Sequence, residues 1–172
     1  MAGSPHTTNT PHTSMVNQDL IDKVTVLLDT RADIAVYQIG EESKLGVVLR
    51  IDAEDSLKVM DTLRHCVELQ LEQLIDVFGA DLHDLIEVTY RVRSLKHNID
   101  LIIKCELPYG GSYTSIGEIY AAAWMPEREL CEMFGLTLLR HPNPKRLLTM
   151  SNMPPFLRKE VAIRSKEEIW GS

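Results

Sequence analysis

Between Ile86 and Glu106 the chain alternates twice between apolar and polar residues, and a helix cannot satisfy that period. Ile86, Val88, Tyr90 and Val92 fall on one face of an extended segment, with Glu87, Thr89, Arg91 and Arg93 on the other. A second run sets Ile99, Leu101, Ile103 and Cys105 against Asp100, Ile102, Lys104 and Glu106. The turn between them, Lys96–His97–Asn98, is short, so the two strands form an antiparallel hairpin. One face of this hairpin must be covered by other elements, while the other can remain wet.

The preceding residues supply the cover. Leu20, Val24, Leu27 and Leu28 make a helical stripe over Asp19–Leu28. Ile34–Ile39 and Leu45–Ile51 read as strands around Gly40 and a charged turn. Asp52 and Asp55 resemble a helix start. From there, Leu57, Met60, Leu63, Val67, Leu71, Leu74 and Phe78 recur every three or four residues. The pattern predicts one long helix over 54–78, closed by Gly79. Leu107–Thr114, with Pro108, Gly110 and Gly111, reads as a loop. Ser115 and Glu118 have capping-box spacing ahead of a short helix over 116–123. The expected fold is α+β: a small mixed or antiparallel sheet with helices mainly on one face, plus a long extended C-terminal arm.

The arm begins after one more helix. Trp124 leads into it, Pro126 suits its first turn, and Glu127 and Glu129 lie where the helix dipole favours anions. Phe134 and Gly135 end it. Beyond Gly135, Pro142, Pro144, Pro154 and Pro155 forbid a long helix or central strand. Between Gly135 and Lys166 lie Arg140, Lys145, Arg146, Arg158, Lys159, Arg164 and Lys166 against one acid, Glu160. This segment is formally +6 on a chain of formal charge −7. It also carries Leu136, Leu138, Leu139, Leu147, Leu148, Phe156 and Leu157, too apolar a set for free disorder. A basic, apolar-spotted arm on an acidic body is suited to wrapping a partner. The expected division is a disordered leader over 1–15, an α/β domain over 16–134 and the arm over 135–172.

Several chemistries find no motif here. Cys66, Cys105 and Cys131 are far apart in sequence and form no Cys-x-x-Cys pair, so they read as small buried groups rather than ligands of a zinc or iron–sulfur site. Gly110–Gly111 lacks the spacing of a phosphate-binding loop. No apolar run approaches the length of a membrane span, and the Thr-, Pro- and His-containing first residues do not resemble a signal peptide. The chain therefore reads as cytoplasmic, or peripheral on the cytoplasmic side of a membrane. Its acidity disfavours nucleic acid as a general partner. The densest charge group, Glu127, Arg128, Glu129 and Glu132, could in principle do acid–base work, but structural ion pairing explains it better.

One ordered set of motifs carries a family resemblance: SLKHN at 94–98 with the LIIK that follows, ERELCEMFGL at 127–136, HPNPKRLLT at 141–149 and PPFLRKE at 154–160. Together they resemble the C subunit of NADH:quinone oxidoreductase, whose family also supplies a component to complex I-related membrane hydrogenases. The resemblance implies a non-catalytic, cofactor-free subunit, held peripherally on the cytoplasmic side of the cell membrane through its partners. Those partners would be a large subunit, bearing a quinone site or a nickel–iron site, and a small iron–sulfur subunit. Iron–sulfur clusters, with nickel–iron or flavin, would belong to partner chains. By the same resemblance Trp124, Glu127, Arg128, Glu129, Phe134, Gly135, His141, Pro142, Arg146, Leu157, Arg158 and Lys159 are interface residues. Arg158 is expected to meet an acidic group of the large subunit. The family usually places Gly before His-Pro, where this chain has Arg140. Here Glu160–Val161 stands for an acid and an aromatic, and Met153–Pro154–Pro155–Phe156 replaces Gly-His-Pro. These departures tilt the expectation toward a membrane-bound nickel–iron hydrogenase, with the C subunit of an NADH:quinone oxidoreductase as the alternative. More distant readings are an enzyme using Glu127, Glu129 and His141, or an RNA-binding module using the arm.

Overall fold

The two alternating runs become the centre of a five-stranded sheet. The computed structural model describes residues 11–34, 37–42, 46–150 and 153–161. The strands are β1 (Tyr37–Glu42), β2 (Gly46–Asp52), β3 (Gln73–Asp81), β4 (Leu85–Ser94) and β5 (Ile99–Pro108). Their spatial order is β1-β2-β5-β4-β3. The β4–β5 hairpin is antiparallel, with Tyr90 opposite Ile103 and Val92 opposite Leu101. β2 lies parallel to β5, and the two edge pairings are antiparallel, so the sheet is mixed.

Three helices cover one face: α1 (Pro11–Asp29), α2 (Ser56–His65) and α3 (Trp124–Phe134). Leu20, Val24 and Leu28 of α1, Val59, Met60 and Leu63 of α2, and Leu130 and Phe134 of α3 join Leu49, Val88, Tyr90, Leu101 and Ile103 in a single core. Periodicity explains this arrangement, since each helix turns its apolar stripe to the same pleated surface. The opposite face carries a ladder of charges that pair with one another. Arg50 bridges Glu42 and Glu87 at 2.7 and 3.2 Å, Lys104 donates to Glu87 at 2.9 Å, and Arg91 and Arg93 both hold Asp100.

The structure departs from the sequence reading at four places before the arm. The helix expected over 54–78 ends at His65, and the chain turns at Gln70, whose φ is +48°, before entering β3. The first helix, expected over Asp19–Leu28, reaches back to Pro11 within the expected leader, of which residues 1–10 lie outside the described residues. The loop expected over 107–114 contains the end of β5 and a short strand, β6 (Ser112–Thr114), which pairs parallel with β7 (Thr137–Leu139). The helix expected over 116–123 is a turn followed by a 3-10 segment, Ala121–Ala123, that feeds directly into α3. Ser115 makes no capping box. Its Oγ accepts from the Gly117 N–H two residues on, at 3.1 Å, closing a local turn.

Candidate functional site

α3 and the chain that returns over it form the site. Three features set the helix in place. Gly135 takes the left-handed conformation, φ +66°, and ends it as its sequence position predicts. At Gly79 the backbone of β3 passes so close that an added Cβ would lie 2.7 Å from Phe134 Cε2. Glu127 then pins the first turn from below. Its carboxylate is fully buried and accepts from Ser115 Oγ at 2.5 Å, the Ile116 N–H at 3.0 Å and Tyr90 Oη at 3.4 Å. Burial pushes this carboxyl up, against the pull of those donors. Glu127 thus ties α3 to β4 and to the turn after β6, through hydrogen bonds rather than the ion pairing expected.

The arm is fastened at three points, two on α3 and one on β3. The first is Glu132, whose side chain is 1% exposed. Its carboxylate accepts the backbone N–H groups of Leu147 at 2.5 Å, Leu148 at 3.0 Å and Thr149, and Arg146 Nε lies 3.7 Å away. Burial works to raise this carboxyl, but Thr149, Leu147 and Leu148 outweigh it and bring it down to about 2. The second is Arg158. Its Nε donates to the Phe134 carbonyl at 2.6 Å and its Nη2 to that of Gly135 at 3.1 Å, so a guanidinium satisfies the free carbonyls at the negative end of the helix. It also stacks 4.6 Å above the Tyr109 ring and bridges Glu160 at 3.2 Å. The third is Asp81 at the end of β3, which accepts from the Lys159 N–H at 2.7 Å, the His83 N–H at 2.6 Å and Tyr109 Oη at 2.8 Å.

Arg128, His141 and the Leu157 backbone serve the same fastening. Arg128 reaches the carbonyls of Lys145 at 2.9 Å and Arg146 at 3.3 Å. His141 Nε2 lies 3.0 Å from the Trp124 carbonyl, and its Nδ1 accepts the Asn143 N–H at 3.0 Å. With Nδ1 an acceptor, the ring proton is on Nε2 and is donated to Trp124. Nitrogen-15 spectra of the imidazole are expected to report that tautomer. The Leu157 N–H donates to the Met133 carbonyl at 3.1 Å, while its side chain stays exposed. Pro142 lies exposed beside His141.

Glu127, Glu129 and His141 do not converge. Glu127 points into the core, Glu129 lines an outer groove with Pro126 and Phe78, and His141 sits on the Trp124 carbonyl. Among the described residues no group of three His, Cys, Asp or Glu side chains could hold a metal ion. No described helix is long and apolar enough to cross a membrane. Sequence reasoning missed Asp81 and the latch made by Glu132, because the partners of both include backbone N–H groups and no residue pattern marks them.

Gly135→Ala is expected to destabilise the protein by about 1–2 kcal/mol in chemical denaturation, since alanine is strained at this φ. The new Cβ would also lie 2.7 Å from Arg158 Nη2, so the arm should loosen with the helix end.

A family model described as "Respiratory-chain NADH dehydrogenase, 30 Kd subunit" matches residues 49–167. The C subunit of NADH-quinone oxidoreductase from Wolbachia sp. subsp. Brugia malayi is 34% identical over 132 residues, covering 75% of this chain and 68% of the relative. The C subunit of F(420)H(2) dehydrogenase from Methanosarcina mazei is 29% identical over 122 residues, covering 69% of this chain and 76% of the relative. Among solved structures, a chain of the membrane-bound sulfane sulfur reductase, an archaeal respiratory membrane complex, superposes with a TM-score of 0.58 over 73% of this chain and 72% of its own. At 15% identity that likeness is one of fold.

Proposed function

Since this chain belongs to the family of the 30 kDa subunit of respiratory-chain NADH dehydrogenase, we propose that it is an assembly subunit of a complex I-like membrane oxidoreductase. In this role it performs no chemistry itself. It presents α3 and the fastened arm to the large catalytic subunit and the iron–sulfur small subunit, and it stays on the cytoplasmic side of the membrane through them.

The observation that carries this reading is the fastening itself. Glu132, Arg158 and Asp81 hold an extended segment in a fixed shape, yet Leu148, Met150, Phe156 and Leu157 on that segment, with Trp124 and Met125 on α3, remain exposed. Large apolar side chains left exposed on ordered segments offer area to a partner, and a fixed segment binds with less of the entropy cost of ordering. The expected pairing of Arg158 with a partner carboxylate is not needed to satisfy it, because its donors meet the end of α3 and Glu160. Arg158 would then support the interface by shaping the arm. Arg158→Ala is expected to lower recovery of intact complex several-fold, with the arm of the free protein more open to protease. Full recovery of the complex from this variant would count against the role of the arm.

The parent complex is better read as a dehydrogenase than as the hydrogenase expected from residues 140 and 153–161. The relatives above are subunits of NADH-quinone and F(420)H(2) dehydrogenases. Gentle detergent extraction through a tag on this chain, followed by mass spectrometry and metal analysis, tests the proposal. Co-purification of a large subunit and an iron–sulfur subunit, with iron and without nickel, is the expected result. Recovery of this chain alone, under conditions that keep other membrane complexes together, would overturn it.

A further inference from the structure

The surfaces of this protein differ in how far they satisfy themselves. The open sheet face pairs its charges internally, and the inner side of the arm spends its polar groups on α3. The groove between β3 and α3 does neither. It is about 330 Å³, with a floor of Val77, Leu130 and Phe134 and walls that include the exposed side chains of Phe78 and Leu157. Asp76 and Glu129 stand in its lining, both exposed. Asp76 accepts its neighbour's N–H, from Val77 at 2.8 Å, but among the described residues neither carboxylate has a lysine, arginine or histidine partner. β3 is moreover an edge strand, bulged between Leu74 and Asp76, and among the described residues no further strand pairs with its outer side.

We propose that this groove receives an extended segment of a neighbouring subunit, with an aliphatic or aromatic side chain seated between Phe78 and Leu157 and an adjoining lysine or arginine held by Asp76 and Glu129. The pairing follows from complementarity. The floor and walls offer apolar area, and the lining supplies two negative charges that nothing among the described residues neutralises. A second copy of this chain would bring the same carboxylates to the contact and is disfavoured for that reason. The inference rests on the assembly reading above, but concerns a groove that meets the arm only at Leu157 and is opposite to it in charge.

A photoreactive benzoylphenylalanine at position 78, in the intact complex, tests it. The expected result is a link to one peptide of another subunit that carries a lysine or arginine within a residue or two of the linked apolar position. The double variant Asp76→Lys, Glu129→Lys is expected to cut that link and the yield of complex about ten-fold, while the free protein keeps its thermal stability. No link, or a link to lipid, to a second copy or within this chain, would overturn the proposal, as would a link that survives the double variant. If the complex co-purifies normally but position 78 stays unlinked, the groove proposal alone falls. If the unmodified chain is recovered without partners, the assembly reading falls with it.

Discussion

Glu132→Ala is expected to release the arm from α3 while leaving the sheet intact. Three backbone N–H groups, those of Leu147, Leu148 and Thr149, lose their acceptor together. Hydrogen bonds to a charged group contribute about 1.5–3 kcal/mol each, and water recovers part of the loss on a segment this close to the surface. A net weakening of about 3–4 kcal/mol lowers the hydrogen-exchange protection of these amides by roughly 100- to 1000-fold. Unchanged protection would mean that Arg158 and Asp81 hold the arm without the latch. The same carboxylate predicts a pH dependence. Its folded value, about 2, lies below its unfolded one, so its contribution is complete above the ordinary carboxyl range and is lost as pH falls toward 2. Protection at Leu147–Thr149 should therefore decline with acid in the wild type, and stay low and flat in Glu132→Gln.

The second large effect concerns the other end of α3. Glu127→Ala removes a fully buried acceptor, strands the donors of Ser115, Ile116 and Tyr90 and opens a cavity beneath the helix. Losses of this kind come to about 3–5 kcal/mol, which lowers the melting temperature of a domain this size by roughly 10 °C. Glu127→Gln keeps an acceptor for the Ile116 N–H and carries no charge, so it should lose far less. The sign of its pH dependence is opposite to that of Glu132. Burial raises the folded value of Glu127, so its carboxyl favours folding most when protonated, and the wild type should lose ground to Glu127→Gln as pH rises above the ordinary carboxyl range. A gap between the two that does not change with pH would show that Ser115 and Ile116 offset the burial completely.

These two glutamates stand five positions apart on one helix, and the sequence treats them alike. Both fall in the charge cluster read there as ion pairing. One meets two hydroxyls and an amide under the helix; the other meets three amides above it. Backbone donors leave no trace in residue spacing, which is why the clasp was not legible while the hairpin was. Ile86–Val92 and Ile99–Cys105 alternate because one face packs on the apolar core while the other carries charges that pair across the strands, even where Glu87, Thr89 and Ile102 on that second face are buried, and that contrast is written in side-chain types.

The misread helix fails for a related reason. Leu57, Met60 and Leu63 form a true helical stripe, and Val67, Leu71 and Leu74 continue its phase. Val67 is nevertheless exposed, and the reversal is carried by Gln70 in a left-handed conformation where glycine or asparagine would have marked it. The bulge between Leu74 and Asp76 then breaks the alternation that would have identified β3. Arg140 shows the converse. The family resemblance implies glycine there, and the backbone adopts φ +58°, so the backbone demand persists under a different side chain.

Asp81 accepts from the amide of Lys159, 78 positions later. On the ribosome, β3 is therefore made long before its last fixing exists, and the clasp closes only once Arg158 and Lys159 have emerged. A copy cut short before them lacks the guanidinium and amide that fix the arm in the shape proposed above for docking. The fold would then act as its own test of complete synthesis through this point, withholding a finished docking surface from truncated copies and sparing the rest of the complex from building on them.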